Sequence, residues 1–316
     1  MQITAVQAAE ILKAEDNITI LTHFHPDGDT IGSGFALARA LRKMGKKANV
    51  INNDEMHPKY AYIWKGIKKQ RFKEQFVVAV DIATEHLLGD RIYEKYAGRI
   101  DLSIDHHPTN SFFAKNTCLE GNSAAAAEII YYVIKALGVE IDEDMASCIY
   151  TGVSTDTGCF KYRNTTARSF YIAGVMKDLG ADTETINEVM FETKTRGELE
   201  LERIILEKME YSYDNKLAIA VITQKMYSDT GTTEDECEYI AGIPRQVAGV
   251  YVGVTIKERK NGTFKASVRT KPPIDAGKIC AKFGGGGHAN AAGCYFDGTL
   301  EEFKEKIKAV AGEELK

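Results

Sequence analysis

The apolar run at residues 76–80 most constrains the fold of this chain, because it contains no polar residue and ends at Asp81. A continuous apolar run is typical of a parallel strand that other elements cover on both faces. Further strand-like runs at 17–22, 48–51 and 100–104 alternate with helix-like segments. This alternation predicts an α/β fold with a mostly parallel, doubly wound sheet.

Helices are predicted between and after these strands, at 3–13, 31–44, 124–137 and about 142–153. Gly32 and Gly34 would let the second of these helices pack closely on the sheet. Ser123 is the predicted N-cap of the third helix, and Gly138 is its predicted stop.

The composition changes after residue 182. Residues 183–211 are charged and helical in pattern, which predicts a connecting helix between a domain at 1–182 and a smaller α+β domain at 212–316. The predicted elements of the second domain are strands at 217–223, 250–257, 263–270 and 294–296, helices at 275–282 and 299–311, and a glycine loop at 284–288. Asn261-Gly262 predicts a hairpin.

Acidic and imidazole side chains stand in four separate segments where strands or helices are predicted to end. Since neighbouring strands of a parallel sheet end at one edge, these side chains can meet in space. They are His23, Asp27 and Asp29; Asp81; Asp105, His106 and His107; and Asp156. Taken singly, an aspartate after a strand is often a helix cap or turn residue. Together they exceed the needs of one metal, and nitrogen and oxygen ligands without thiolate favour Mn²⁺ over structural Zn²⁺.

Charge and cysteine usage narrow the class of protein. The net charge of −5 argues against a broad basic surface for duplex DNA, whereas a short ligand needs only a local basic cluster. We expect no membrane association, since neither a signal peptide nor an apolar run of bilayer length is found. Six scattered cysteines without metal-site spacing then predict a cytoplasmic protein with reduced thiols.

The combined motifs resemble those of the DHH phosphoesterases. The resemblance rests on HFHPDGDTIGS at 23–33, the strand-terminal Asp81, Asp105-His106-His107 and TDTG at 155–158. GGGGHANAAG at 284–293 resembles the hallmark of the DHH-associated C-terminal domain. The resemblance covers nearly the whole chain and is greatest to the bifunctional oligoribonuclease and pAp phosphatase (nano-RNase A) branch.

This resemblance implies a dinuclear Mn²⁺ site, with Mg²⁺ or Co²⁺ as substitutes. The implied ligand sets are His23, Asp27 and Asp81 for one ion, and Asp29, Asp81, His106 and Asp156 for the other. A water between ions about 3.5–4 Å apart would attack phosphorus. His107 is expected to protonate the leaving oxygen or to contact phosphate, and Asp105 to orient His106 or His107.

The second domain is expected to grip the substrate. Glycines leave backbone N–H groups unshielded, so the glycine loop is a natural cradle for phosphate oxygens. By resemblance, Arg269 would face a terminal phosphate, which a guanidinium can bind through two hydrogen bonds. The expected substrate-binding residues are Arg269, Gly285, Gly286, Gly287 and His288, with Arg245 and His25 as weaker candidates. The substrate would lie in a cleft between the two domains.

The resulting prediction is a Mn²⁺-dependent phosphoesterase that hydrolyses short oligoribonucleotides to mononucleotides and removes the 3′-phosphate of pAp. A phosphodiesterase acting on cyclic or linear dinucleotides remains an alternative. A manganese inorganic pyrophosphatase would lack the GGGGH loop, and a RecJ-type exonuclease is longer. A non-catalytic nucleotide sensor would be expected to lack some of the metal ligands, whereas all the expected ligands are present in this sequence. A homodimer remains an open alternative to a monomer.

Overall fold

The computed structural model describes residues 1–234 and 236–316. The chain forms two compact units, Met1–Thr193 and Lys194–Lys316. The segment predicted as one connecting helix is interrupted: a short helix is followed by a π-helix at Glu188–Glu192, and a new helix begins at Arg196. Within the described residues, no helix has both the length and the apolar character needed to cross a membrane.

The first unit alternates strands and helices as predicted up to its fourth strand; the fifth strand, which was not predicted, follows the fourth without a helix between them. Its elements are α1 (Ala5–Ala14), β1 (Ile18–Leu21), α2 (Gly28–Lys43), β2 (Ala48–Ile51), α3 (Ala61–Trp64), β3 (Phe76–Val80), α4 (Asp90–Tyr96), β4 (Leu102–Asp105), β5 (Asn116–Leu119), α5 (Ala126–Leu137), α6 (Glu143–Asp156), α7 (Ala167–Asp178) and α8 (Thr183–Asn187). Short 3₁₀ turns lie at Pro58–Tyr60 and Glu85–Leu88.

The five strands form one parallel sheet in the order β2–β1–β3–β4–β5. Alternate residues of β3 belong to two apolar clusters: Val78 and Val80 pack with α2, α5 and α6, whereas Val77 and Ala79 pack with α4. The sheet is therefore covered on both faces, which confirms the α/β prediction. The chain runs from β1 to β2 on one side and returns to β3 on the other, so the strand order reverses between β1 and β3. Open α/β sheets bind ligands at such a reversal.

Two helix starts differ from the prediction for local reasons. Helix α2 begins at Gly28 rather than residue 31, because the Asp27 side chain accepts hydrogen bonds from the first-turn amides and caps the helix. Helix α5 begins at Ala126, and Ser123 is not its N-cap, since the Ser123 hydroxyl donates to Glu120. Gly138 ends α5 in the left-handed conformation, as predicted.

Small residues bring α2, α5 and α6 close together. Gly34 faces the sheet as predicted, with Thr22 as its nearest neighbour. Gly32 instead faces α6, where a Cβ would overlap the carbonyl oxygen of Cys148. On α6, a Cβ at Gly152 would lie 2.5 Å from the Ala127 side chain and 2.7 Å from Asp29 Oδ1. The glycines thus let three helices that carry or support acidic residues converge.

The second unit is a mixed sheet with helices. Its elements are α9 (Arg196–Lys208), β6 (Glu210–Ser212), β7 (Leu217–Ile222), α10 (Gln224–Thr230), a 3₁₀ turn (Glu238–Gly242), α11 (Ile243–Gln246), β8 (Val252–Glu258), β9 (Phe264–Thr270), α12 (Ala276–Ala281), β10 (Gly286–His288), β11 (Ala291–Phe296) and α13 (Leu300–Glu314). The strand order is β10–β11–β9–β8–β7–β6, and only β7 and β8 pair in parallel.

This unit confirms the predicted α+β class and corrects one detail. Strands β8 and β9 pair as a hairpin around Asn261-Gly262, as predicted, and Gly262 has a φ of 80°. The glycine segment 284–288 is not entirely a loop, because Gly286–His288 forms the edge strand β10 against β11. Its glycines permit this close pairing: a Cβ on Gly285 would overlap the backbone of β11.

Candidate metal centre

His23 directly follows strand β1 and Thr22, and its ring is oriented by the backbone. Its Nδ1 donates to the carbonyl oxygen of Phe24 at 2.8 Å; because a carbonyl can only accept, Nδ1 carries the hydrogen. The other ring nitrogen, Nε2, lies 3.6 Å from Asp27 Oδ1 and 3.7 Å from Asp81 Oδ2. Nε2 is thus the ring nitrogen that faces two carboxylates.

Asp27 and Asp29 occupy different environments although they are two residues apart. Asp27 caps α2, and its side chain is about half exposed. Asp29 lies in the first turn of α2 and is fully buried. Its carboxylate accepts hydrogen bonds from the amides of Ala126, at 2.6 Å, and Ala127, at 2.9 Å, at the N-terminus of α5. A helix N-terminus favours an anion, which explains how this buried carboxylate is accommodated.

Asp81 stands at the centre of the group, immediately after β3. Its backbone has a φ of 60°, a left-handed conformation that aspartate tolerates better than most residues. The side chain is buried, and Oδ1 makes no hydrogen bond within the part of the chain that the structure describes. His106 Nε2 lies 3.4 Å from Oδ1, and His23 Nε2 lies 3.7 Å from Oδ2. The carboxylate therefore faces three imidazoles: those of His106 and His107 at Oδ1, and that of His23 at Oδ2.

His106 follows β4 and faces three carboxylates. Its Nδ1 donates to the carbonyl oxygen of Ser123 at 3.1 Å, which again leaves Nε2 to face the carboxylates. Nε2 lies 3.4 Å from both Asp81 Oδ1 and Asp156 Oδ2, and 3.9 Å from Asp29 Oδ2. Asp156 is the last residue of α6, not a residue of the loop after it. A strand end and a helix end thus supply opposite sides of this group.

Asp105 orients His107 rather than the ring of His106. Asp105 Oδ1 accepts from His107 Nδ1 at 2.8 Å and from the backbone N–H of His106 at 2.9 Å, and Asp105 Oδ2 accepts from Asn110 at 2.6 Å. Asp105 is fully buried and satisfied, whereas the His107 side chain is about one third exposed. Asn110 had no signal in the sequence beyond its place in a turn.

The pKa values of the imidazoles reflect the surrounding negative charge. Burial would lower the pKa of His23, but Asp27 and Asp81 raise it to about 11. Burial also opposes protonation of His106, yet the surrounding carboxylates, Asp81 first, raise its pKa to about 10. The pKa of His107 is raised as well, chiefly because Asp105 offsets the effect of burial. The group therefore attracts positive charge.

The carboxylates titrate in opposite directions. Burial, reinforced by the charge of Asp81, raises the pKa of Asp29 to about 7. Burial and the neighbouring carboxylates also raise the pKa of Asp156 well above its ordinary value. For Asp81, burial is outweighed by the imidazoles of His106 and His23, which hold its pKa well below the usual range. The centre has more acidic groups than imidazoles to balance them, a composition that suits divalent cations.

The donor atoms fit metal binding. Potential ligand atoms lie within 4.8 Å of one another in two separate groups. One group is His23, Asp27 and Asp81; the other is Asp29, His106 and Asp156. The Nδ1–H groups of both imidazoles are bound to backbone carbonyls, the usual arrangement for histidines that ligate through Nε2. A third group contains Asp81, His106 and His107, but there Nδ1 of His107 already donates to Asp105.

His25 lies apart from these groups. Its backbone N–H donates to Asp54 Oδ2 at 2.7 Å, and its ring Nδ1 lies 3.6 Å from the same oxygen. The ring is mostly exposed and is in contact with Phe24. A φ of 51° at His25 turns the chain between His23 and Asp27. The two histidines of the first motif are therefore separated in space.

The register of the second sheet aligns most of the other predicted substrate residues. His288, Ala291, Arg269 and Gly253 are paired in turn across β10, β11, β9 and β8, so they share one face. The backbone of Arg245 packs where a side chain on Gly253 would point. We call the paired positions His288, Ala291, Arg269 and Gly253 the cationic row, after the guanidinium of Arg269. Gly286 and Gly287 lie beside it in β10 and are exposed.

Gly285 differs from its neighbours in the glycine segment. Its N–H donates to the carbonyl oxygen of Cys280 at 3.0 Å, so this amide is already engaged within the unit. The lack of a side chain at Gly285 is needed for packing against Cys294. This glycine thus has a structural explanation, whereas Gly286 has open space around it.

Comparison with known protein families matches both units. Residues 17–153 match the DHH family, N-terminal domain, and residues 214–313 match the DHHA1 domain. The chain is 30% identical over 317 residues to the bifunctional oligoribonuclease and PAP phosphatase NrnA of Thermus thermophilus, an alignment that covers 97% of this chain and 93% of that protein.

Solved structures share the fold at lower identity. An exopolyphosphatase-related protein from Bacteroides fragilis superposes with a TM-score of 0.88 at 23% identity, covering 99% of this chain and 98% of that one. RecJ from Thermus thermophilus in complex with Mn²⁺ superposes with a TM-score of 0.60 at 13% identity, covering 98% of this chain and 55% of that one. These likenesses support the two-unit α/β architecture.

Proposed function

Because the chain belongs to the DHH family, we propose that it hydrolyses short oligoribonucleotides to mononucleotides and removes the 3′-phosphate of pAp. A hydrolase acting on phosphoester bonds agrees with the family and with the named activity of a relative that is similar over nearly its full length. The observation that carries the proposal is the placement of Asp81 between the imidazoles of His23 and His106 at the strand-order reversal.

The first unit would hold two divalent cations, and Mn²⁺ is the ion that we propose. The ligands would be His23, Asp27 and Asp81 for one ion, and Asp29, Asp81, His106 and Asp156 for the other. Bound ions would supply Lewis-acid activation of water and neutralise charge on the phosphoryl oxygens. Oδ1 of buried Asp81 makes no hydrogen bond within the described residues, and the rings of His23 and His106 both turn Nε2 toward carboxylates; these features favour this assignment over a purely structural cluster.

His107 would act on the leaving group. Its Nδ1–H is held by Asp105, so Nε2 is the nitrogen that can present a proton to a phosphate or leaving oxygen. Asp105 raises the pKa of the imidazole above its ordinary value, which favours the protonated, donating form near neutral pH. We assign His107 the role of general acid or phosphate contact, and Asp105 the role of positioning it.

The cationic row of the second unit would bind a phosphate group of the substrate. Arg269 and His288 share one row of the sheet, next to the exposed backbone of Gly286 and Gly287. A guanidinium can hold a phosphate through two parallel hydrogen bonds, and exposed glycine amides can add further donors. Both pAp and a short oligonucleotide carry a phosphate besides the one that is attacked.

A side-by-side hydrolysis assay tests the proposal. Purified protein with Mn²⁺ is offered pAp, a linear dinucleotide, a cyclic dinucleotide, a longer RNA and pyrophosphate, and product formation is followed by chromatography. We expect turnover of pAp and of the linear dinucleotide, with little activity on the longer RNA. Hydrolysis of pyrophosphate alone would refute the proposal, and preference for the cyclic dinucleotide would replace it with the alternative phosphodiesterase.

A further inference from the structure

Glu128 is a buried carboxylate that the proposed reaction does not use. It lies in the first turn of α5 and is fully buried. Its Oε1 accepts from the Ser169 hydroxyl at 2.7 Å, and its Oε2 accepts from the backbone N–H of Ala124 at 3.3 Å. Burying a carboxylate costs free energy unless hydrogen bonds and a counter-charge compensate it, so its location requires an explanation.

Arg168 supplies the counter-charge and links Glu128 to a second acid. Arg168 Nε lies 3.4 Å from Glu128 Oε2, and Arg168 Nη1 donates to Glu120 at 2.7 Å. Glu120 in turn accepts from the hydroxyl of Ser123 at 3.2 Å. Two acids and one guanidinium therefore hold Ser123 and Ala124, the residues that lead into α5.

The segment 123–127 binds two of the four proposed ligands of one ion directly and is linked to a third through one side chain. The carbonyl oxygen of Ser123 accepts from the His106 ring, and the amides of Ala126 and Ala127 donate to the Asp29 carboxylate. The third connection runs through Asn164. Its amide nitrogen donates to the carbonyl oxygen of Ala124 at 3.1 Å and to that of Asp156 at 3.0 Å.

We infer that Glu128 is a positioning residue that sets the affinity of the ion held by Asp29, His106 and Asp156. By fixing segment 123–127, Glu128 would place the two amides that donate to the Asp29 carboxylate and the carbonyl that accepts from the His106 ring. It would also place the carbonyl of Ala124, which holds the Asn164 side chain that donates to the Asp156 backbone. This inference rests on the proposed function, since it concerns the same metal centre. Partners outside the ligand shell typically change metal affinity by about 10- to 100-fold.

The other ion should not depend on Glu128. The His23 ring is held by the carbonyl of Phe24, and Asp27 is held by the first-turn amides of α2. The hydrogen bonds described for these two side chains do not involve segment 123–127. The two ion sites thus provide an internal comparison, which a general loss of stability would not reproduce.

Calorimetric titration with Mn²⁺ tests the inference without substrate. In the His23→Ala protein, the remaining binding event belongs to Asp29, Asp81, His106 and Asp156. In the His106→Ala protein, it belongs to His23, Asp27 and Asp81. Glu128→Gln is added to each. We expect about 10- to 100-fold weaker binding in the first background and less than about threefold change in the second.

Matched variants separate positioning from folding. Asp101→Asn removes another carboxylate of the first unit, one that binds the Val77 amide and Lys115, away from the ligands. We expect Asp101→Asn to lower the melting temperature in chelator without weakening the binding of either ion. If Glu128→Gln does not fold, Ser169→Ala removes one donor to Glu128 and should weaken the same ion severalfold.

Each outcome bears on one claim. Equal weakening in both backgrounds, or unchanged binding in the His23→Ala background, would refute the role of Glu128 while leaving the metal centre intact. Absence of Mn²⁺ binding by the unaltered protein would instead overturn the metal assignment and this inference with it. Selective weakening of the ion at Asp29, His106 and Asp156 would support both.

Discussion

The two units assemble their functional side chains in different ways. In the first unit, the ends of parallel strands and of α6 bring together buried acids and imidazoles, several of which are held by backbone hydrogen bonds. In the second unit, antiparallel register places Arg269 and His288 in one row on a partly exposed face. Buried, oriented groups suit a reaction step, whereas a partly exposed guanidinium suits binding of a charged ligand.

This difference predicts that substitutions in the two units change different kinetic constants. A residue of the first unit should mainly affect kcat, since its interactions strengthen as the phosphoester bond is cleaved. A residue of the cationic row should mainly affect KM, because a bystander phosphate is bound equally before and during the reaction.

Asp81→Asn should have the largest effect. Asparagine is nearly isosteric and also tolerates the left-handed φ of 60°, so the fold should survive where alanine would add strain. Removing the charge that faces both His23 and His106 should abolish binding of both ions and reduce kcat by about 10³-fold or more, which is at least ~4 kcal/mol. Measured turnover above one tenth of the unaltered value would break the metal assignment, and Asp101→Asn is the control.

His107→Gln should reduce kcat by about 10²- to 10³-fold without loss of either ion. The reason is that Nδ1 of His107 is bound to Asp105, which leaves the ring to donate a proton rather than to ligate. Asp105→Asn should lower kcat in the same direction but less, because it disturbs only the orientation of the ring. Loss of a Mn²⁺ ion in His107→Gln, detected by titration, would make His107 a ligand and contradict this role.

Arg269→Ala should raise KM for pAp by about 10- to 100-fold, corresponding to loss of a charge-assisted hydrogen bond worth roughly 1.5–3 kcal/mol. The change in kcat should be small. Lys265→Ala is the matched control, since Lys265 is a cation on the same face of β9, four residues from Arg269. An unchanged KM in Arg269→Ala, or an equal change in the control, would remove Arg269 from the binding surface.

The sheet edge was predictable because local pattern and topology agree there. An apolar run such as 76–80 predicts a buried parallel strand, and a polar residue at its end must then lie at the edge where neighbouring strands also end. Asp81 and His106 were located by this argument alone. Their assignment to particular ions came from the family resemblance, and only the spatial arrangement could test whether the side chains meet.

The supports of the centre could not be predicted, because they join distant parts of the chain. Asp29 is held by amides 97 and 98 residues away, and Glu128 by a serine 41 residues away. Backbone donors carry no residue-type signal, so Ala126 and Ala127 look like ordinary helix residues. In the segment 284–288, a sequence signal exists but points to the wrong structure. Its glycines predict a loop, yet the absence of side chains permits close pairing of β10 with β11.

Removal of metal should lower the free energy of unfolding of the first unit only. Each of the two ions, at about 100 times its Kd, would stabilise the fold by ~2.7 kcal/mol. That is a rise in Tm of roughly 5–10 °C for a domain of this size. Hydrogen exchange should show slower exchange of the β3 and β4 amides when Mn²⁺ is bound, and no change in β8 and β9, which belong to the other unit.

The stabilisation of the fold by Mn²⁺ should increase from about pH 6 to about pH 8. In chelator, Asp29 of the folded state has a raised pKa of about 7 and loses its proton over this pH range. The unfolded chain has lost the same proton at lower pH, so the free energy of unfolding falls as pH rises. His23 acts in the same direction, because its pKa of about 11 keeps a proton in the folded state that the unfolded chain releases above 6.5. Bound Mn²⁺ replaces these protons. Thermal unfolding with and without chelator measures the difference, and a gain that shrank with rising pH would contradict ion binding at these residues.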